Sequence, residues 1–401
     1  METIEAYGCS VVVRRIHGPQ TVELFFHCRP PAAVTAAGRQ AEAIYRAILA
    51  FLEAEGGDYG SVVTETLFLR DLRGTIESVR ASRRSVLRSS GATDADPAIT
   101  EIEQAPLDES ACLELLAHAV LPGRMPLQSV AIVSARDEDP DPSMRTHGLR
   151  LRVGEEIRFY VGAIVGSGEG ACAQTQSMFL EAEDLLRHAG MDFSDVVRTW
   201  IYLRDIDRDY GDLNRARRAF FQERGIDPVP ASTGIGGGPA SRAHDVCLAV
   251  YAARADDPAP RTVMTSPTLN EAMQYGADFV RGMRVEEGGL ARLYVSGTAS
   301  IDEHGSTVHV GDIAAQTDRM LMNMETLLGR QGAGFGDIVS AVTYLRHPVD
   351  GERVRSRMRD AGFRGFPHVL VQAGICRPDL LCETEVLAIL SGYRSLPPDV
   401  A

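Results

Sequence analysis

Near its C-terminus the chain places an acid and an arginine close enough to serve one pocket. In the run Ile375-Cys-Arg-Pro-Asp-Leu-Leu-Cys-Glu-Thr-Glu385, Arg377 stands six residues before Glu383. Residues an even number apart in a strand share a face, so both side chains reach one cleft if the strand continues across Pro378. Glu383 sits among apolar neighbours, Leu380 to Leu387. A carboxyl desolvated in such a strand has a raised pKa and can act as a general acid or base. Its alternative is a glutamate paired with an arginine at a contact between subunits. A planar guanidinium facing it would hold a carboxylate substrate through two parallel hydrogen bonds. Arg281, in Phe279-Val-Arg-Gly, is a second cationic candidate, or else a surface arginine. Tyr202 and Tyr344 can hydrogen-bond a substrate hydroxyl or leaving oxygen, or they pack in a core. Cys376 adjoins Arg377, although a free cysteine usually behaves as a small hydrophobe.

Other chemistries are excluded. The chain of 401 residues contains no lysine, so all 41 basic residues are arginine. That rules out a Schiff-base nucleophile, pyridoxal phosphate anchored on lysine, and a Walker A phosphate loop. The ten histidines form no HxH or HExxH pattern and no dinucleotide fingerprint occurs, so neither a metal nor a cofactor is expected. Seven scattered cysteines without a CxxC pair point to neither a disulfide framework nor a thiolate zinc site. A net charge of −14 without an arginine-rich run argues against a nucleic-acid partner. No apolar run is long enough to cross a membrane, and no basic flank precedes an apolar N-terminal stretch. The expected setting is the cytoplasm, and the expected partner is a small anionic substrate.

The elements that must position these residues recur three times. The windows Gln40–Asp71, Gln174–Asp205 and Gln316–His347 align without gaps. In each, glutamine is followed 28 residues later by an aromatic (Phe68, Tyr202 or Tyr344) and then by Leu-Arg. A mid-window glycine (Gly57, Gly190, and Gly332 or Gly334) marks a turn between a helix and a strand. Hydrophobic strands precede each window, a second helix follows, and a closing strand ends the unit. The pattern is β–α–β–α–β with extra strands, an α+β class. Three units are expected: a degenerate one over 1–134, a second over 150–255, and a third over 262–395 carrying the catalytic motif. The Pro- and charge-rich stretches 135–148 and 253–262 read as linkers. Three such units in one chain can close as a pseudo-trimer, so either a monomer or a homo-oligomer fits.

The unit resembles the RidA/YjgF family of small α+β proteins with a chorismate-mutase-like fold. Their terminal signature is matched by Cys376-Arg377-Pro378 and Glu383-Thr-Glu385. A wider set of segments, including Asp195-VVRTWIYLRDIDRDY, Asn214-RARRAFF, Pro230-ASTGIGG and Tyr294-VSGTASI, is similar to the chorismatase family. That resemblance implies cleavage of the enolpyruvyl ether of chorismate to pyruvate and a ring product, either a hydroxybenzoate or a dihydroxycyclohexadiene carboxylate. It assigns the acid/base role to Glu383 and favours Tyr202 as a substrate contact. It associates Cys376, together with Gly297, with the branch that makes 3-hydroxybenzoate. The alternative is a RidA-type enamine or imine deaminase, or an enzyme acting on another small carboxylate.

Overall fold

Each aligned window folds as helix, left-handed turn and strand in the computed structural model, which describes residues 2–91, 97–124, 127–133, 147–254, 261–270 and 278–391. The turn glycines are Gly56, Gly190 and Gly332, with φ of 79°, 79° and 73°. Only glycine takes that conformation without strain, which is why the helix stops there. In the first window the residue that turns is therefore Gly56, one position before the Gly57 expected from the sequence.

The first unit runs β1 (Glu2–Ala6), β2 (Cys9–His17), β3 (Thr21–Arg29), α1 (Ala37–Ala54), β4 (Val62–Leu69), α2 (Leu72–Ser89), β5 (Ala98–Glu103) and β6 (Leu113–Pro122). The second runs β7 (Leu127–Val133), β8 (His147–Val153), β9 (Glu156–Ile164), α3 (Gly170–His188), β10 (Val196–Leu203), α4 (Ile206–Arg224), β11 (Ala231–Gly236), β12 (Gly238–Pro239) and β13 (Val246–Arg254). The third runs β14 (Arg261–Val263), β15 (Gly282–Glu287), β16 (Leu290–Ala299), α5 (Ile313–Gly329), β17 (Ile338–Leu345), α6 (Gly351–Asp360), β18 (His368–Gln372) and β19 (Cys382–Ser391). The three sheets share one order: β1-β2-β3-β6-β4-β5, β7-β8-β9-β13-β10-β11 and β14-β15-β16-β19-β17-β18. Two details depart from the sequence boundaries. Leu127–Val133, placed in the first unit, forms a hairpin with β8 and so belongs to the second sheet. Gly238–Pro239 leaves the second unit to extend the first sheet beside β5. The expected linkers are shorter than the sequence reading made them, since residues 147–148, 253–254 and 261–262 belong to β8, β13 and β14, and the linker parts 135–146 and 255–260 lie outside the described residues.

The repeated glutamine and arginine explain why the windows align. Gln40, Gln174 and Gln316 accept the backbone N–H of Cys112, Asp245 and Leu381 at 2.7, 2.7 and 2.8 Å. Each glutamine thus ties the first helix of its unit to the loop before the closing strand. Arg70, Arg204 and Arg346 donate to carbonyls of that same loop. In the third unit Arg346 reaches the carbonyls of Ile375 (2.7 Å) and Arg377 (2.9 Å). The clamp therefore fixes the segment carrying Cys376, Arg377 and Glu383.

Two helices cover one face of each sheet, and the opposite faces meet in the middle. Phe68, Ile102, Tyr202, Ile235, Val342, Tyr344 and Val371, drawn from all three units, share one apolar cluster there. The units close into a ring of three joints: β12 on β5, Pro106 against Val371, and Ala231 against Val280. On the inner faces Glu23, Arg158 and Arg292 occupy equivalent positions, each one residue before the partner of Ala119, Ala252 or Ala388. Glu23 accepts from Arg158 at 2.9 Å and from Arg292 at 2.5 and 3.0 Å, while His118 lies 2.9 Å away. Glu287 pairs with both arginines and accepts from Tyr251 at 2.5 Å. Burial pushes the Glu23 carboxyl up, but Arg292 and Arg158 more than offset this and hold it well below the usual carboxylate range. Among the described residues no helix is long and apolar enough to cross a membrane.

Candidate active site

A cavity of about 280 Å³ lies where the second unit meets the third. From the third unit come Arg281, just before β15, Gly297 on β16, Cys376 and Arg377 in the clamped loop, and Glu383 on β19. Five of the seven residues singled out from the sequence thus line one cavity. Tyr202 and Tyr344 do not line it: both are buried in the central apolar cluster with Phe68, their equivalent in the first unit. Their rings fill the space where three sheets converge, and the periodicity that made them conspicuous is that of a core.

Glu383 is 5% exposed. It stands opposite Ala299 across the β16–β19 pair and opposite Tyr344 across the β17–β19 pair. Among the described residues nothing hydrogen-bonds its carboxyl, which is left facing the cavity. Burial, and next the Glu385 carboxylate, push it up to about 8, against the opposing pull of Arg281 and Arg198. A side chain at 297 would sit on this carboxyl, because a Cβ built there lies 1.9 Å from Glu383 Oε1. Glycine at this bulge of β16 leaves the space that the acid occupies, and any larger residue would push the carboxyl aside. The Gly297 N–H donates to Thr233 Oγ1 at 3.0 Å, which holds the bulge from the neighbouring unit.

The cationic groups come from both sides. Arg281 is buried, and its guanidinium donates to the backbone carbonyl (2.8 Å) and side-chain oxygen (2.9 Å) of Asn270. Its backbone is pinned by Ser296, whose N–H donates to the Arg281 carbonyl at 3.0 Å. Arg377 is half-buried and donates to the Gly305 carbonyl at 2.6 Å. The second unit adds a group that the sequence reading passed over. Tyr210, Asn214 and Arg217 follow one another at intervals of four and three along α4, which puts them on one helix face. Arg217 donates to Asn214 Oδ1 at 2.7 Å and is buried. Beside them the β11 strand contributes Ser232 and Gly234. The missed signal was a polar line beside the buried apolar stripe of Leu213, Ala216, Phe220 and Phe221 on a largely charged amphipathic helix. Burial, with Glu383 nearby, pushes the Cys376 thiol up to about 12, so its sulfur stays protonated.

The equivalent positions at the other two boundaries are not available in this way. The register Phe68–Glu114, Tyr202–Cys247 and Tyr344–Glu383 makes Glu114 and Cys247 the counterparts of Glu383. Glu114 is buried against His27, with 2.7 Å between Nε2 and Oε2. Cys247 carries no carboxyl. Among the described residues, only the boundary between the second and third units combines an unbonded acid with arginines.

Residues 162–253 and 271–390 match the endoribonuclease L-PSP family. A chorismatase of Streptomyces rapamycinicus is 31% identical over 277 residues, which are 62% of this chain and 79% of that protein. A 3-hydroxybenzoate synthase of Streptomyces hygroscopicus is 29% identical over 301 residues, 68% of this chain and 84% of that protein. A solved chorismatase structure superposes with a TM-score of 0.58, covering 82% of this chain and 93% of that one at 22% identity, and has the same fold.

Proposed function

The chain belongs to the chorismatase family, built on units of the endoribonuclease L-PSP type, and on that premise we propose that it cleaves the enolpyruvyl ether of chorismate at the boundary between its second and third units. The observation that carries the reading is the buried, unbonded carboxyl of Glu383 facing a cavity lined by Arg217, Arg281 and Arg377. Chorismate carries two carboxylates, and guanidiniums suit both. Glu383 in its acid form delivers a proton to the methylene carbon of the enolpyruvyl group. The oxocarbenium-like carbon so formed is attacked by water, or the ring rearranges as the ether bond breaks. In the hydrolytic branch Glu383 takes back a proton from the water, and the hemiketal so formed passes its hydroxyl proton to the ether oxygen as that bond breaks, giving pyruvate and the ring alcohol. In the rearranging branch the ring carbon–oxygen bond breaks, the ether oxygen leaves as the keto oxygen of pyruvate, and the ring, on becoming aromatic, releases the proton that restores Glu383. A cavity of about 280 Å³ fits a ring-sized substrate better than a small enamine, which favours this reading over imine deamination. Cys376 and Gly297 both line the cavity, in keeping with 3-hydroxybenzoate as the ring product.

The direct test is incubation with chorismate, with pyruvate measured by coupled reduction and the ring product by chromatography. No pyruvate at high enzyme concentration would reject the reading. An aromatic product supports the 3-hydroxybenzoate branch, and a diene opposes it.

The pH profile has a defined sign. The acid must carry its proton in the free enzyme, and its midpoint is near 8. Thus kcat/KM should be level below that point and fall about tenfold per pH unit above it. A rate that instead climbs through pH 8 would make Glu383 a base in the first step. The same residue lowers stability as pH rises. Its folded-state pKa lies above the unfolded value, so the stability it contributes is complete below about 4.5 and is lost as pH approaches 8.

Gly297→Ala should cost activity without touching any charge. The new methyl would meet Glu383 Oε1 and, at 3.2 Å, Thr233 Cγ2, so the carboxyl must move. A displacement of about 1 Å at a reacting group costs roughly 10²-fold in rate. Measured kcat within threefold of the parent would mean that the acid acts from a different position.

A further inference from the structure

Glu385 follows Glu383 by two residues on β19 and therefore lies on the same face of the strand. It does not line the cavity of Glu383. It is instead held from across the boundary: Arg198 donates to one carboxylate oxygen at 2.7 Å and the Trp200 indole N–H to the other at 2.9 Å. Arg198 also donates to Thr233 Oγ1, the atom that accepts the Gly297 N–H, and its guanidinium lies 5.0 Å from the Trp200 ring centre. Both members of the ion pair are buried. Among the described residues this pair exists at one boundary only. The positions equivalent to Arg198 are Thr64 and Ser340, and those equivalent to Glu385 are Leu116 and Ala249, by the same register that relates Glu383 to Glu114 and Cys247. A buried ion pair is seldom retained for stability alone, because desolvation of two charges consumes most of its attraction. Its confinement to the boundary with the unbonded acid calls for a reason at that boundary.

We propose that Glu385 is a positioning residue: its carboxylate, fixed by Arg198 and Trp200, sets the proton affinity of Glu383 without touching the substrate. This rests on the reading of Glu383 as the acid. Several other groups also face Glu383. Arg281 and Arg377 come from its own unit, Arg217 and Tyr210 from α4, Tyr344 from the neighbouring strand, and Cys376 from the wall. The arginines all favour the ionised acid, and Glu385 is the anionic group opposing them. The direction of the Glu383 shift, with Glu385 the next cause after burial, agrees with that division of labour.

The test measures the proton on Glu383 directly, without substrate. The carboxylic C=O stretch is followed by infrared spectroscopy against pH, and Glu383→Gln identifies the band. Two residues along a strand stand about 7 Å apart, where a unit charge at an effective dielectric of about 20 shifts a pKa by roughly one to two units. Glu385→Gln should therefore lower the Glu383 midpoint by about one unit or more, whereas Arg198→Met should raise it. The falling limb of kcat/KM against pH should move the same way in each variant. Opposite shifts support the proposal. Unchanged midpoints, or shifts of the same sign in both variants, overturn it, since mere loosening of the boundary would not distinguish the two charges. Should either single variant fail to fold, the double variant Arg198→Met/Glu385→Gln removes the buried pair together, and its midpoint must fall between those expected of the singles. If opposite shifts appear in an enzyme that releases no pyruvate from chorismate, the tuning stands and the substrate reading fails. If pyruvate is released but the midpoints do not move, the reverse holds.

Discussion

Replacing Glu383 by glutamine should lower kcat for pyruvate release by roughly 10²- to 10⁴-fold, the range that a positioned acid contributes. The substitution keeps shape and volume, so the arginines around the cavity remain and KM should change by no more than a few fold. A glutamine cannot transfer a proton to carbon, which makes kcat the parameter that falls. The variant should also be more stable than its parent at high pH. The parent must ionise a carboxyl that is 5% exposed as the pH passes about 8, and glutamine has nothing to ionise. A melting comparison at pH 6 and pH 9 separates these effects: the advantage of the variant should widen with pH. Parent-like turnover in Glu383→Gln would remove the acid from the mechanism. A loss of turnover accompanied by loss of the melting transition would instead reflect misfolding.

The largest effect on stability is expected at the centre of the ring. Arg158 is fully buried and bridges Glu23 of the first unit to Glu287 of the third. Arg158→Met removes the charge but keeps much of the length. Of the two arginines that both carboxylates share, Arg292 then remains, beside the contacts of His118 to Glu23 and Tyr251 to Glu287, and an under-compensated buried charge typically costs about 3–5 kcal/mol. Chemical denaturation should show a loss of that size. Arg158→Met/Glu287→Gln should recover part of it, because a neutral partner no longer needs a counter-ion. If the double variant is less stable than the single one by the full additive amount, the two residues act independently and the network reading fails.

Much of this architecture was legible in the chain because it is written three times. The glutamine and the arginine that bracket each window recur because each ties a helix or strand to the loop before the closing strand, as Gln316 and Arg346 do for the segment bearing Arg377. The glycine turn recurs because only glycine takes the positive φ there without strain. Glu383 stood out for a different reason, as a charge among apolar neighbours in a strand, and it does line the cavity. Tyr202 and Tyr344 misled because periodicity reports core and site alike. Arg217 and Asn214 escaped because their partners lie in another unit, and one helix read alone cannot say what faces it. Boundary strands such as Leu127–Val133 were misplaced because hairpin pairing, rather than distance along the chain, decides which sheet a strand joins.

The fusion of three units into one chain has an evolutionary consequence. In an assembly of identical subunits every substitution is made three times, so an improvement at one cleft is imposed on the others. Here His27 can cap Glu114 and cysteine can stand at 247 while Glu383 stays uncovered. Selection can refine a single cleft and hand the other two over to holding the ring shut, a specialisation that threefold symmetry forbids.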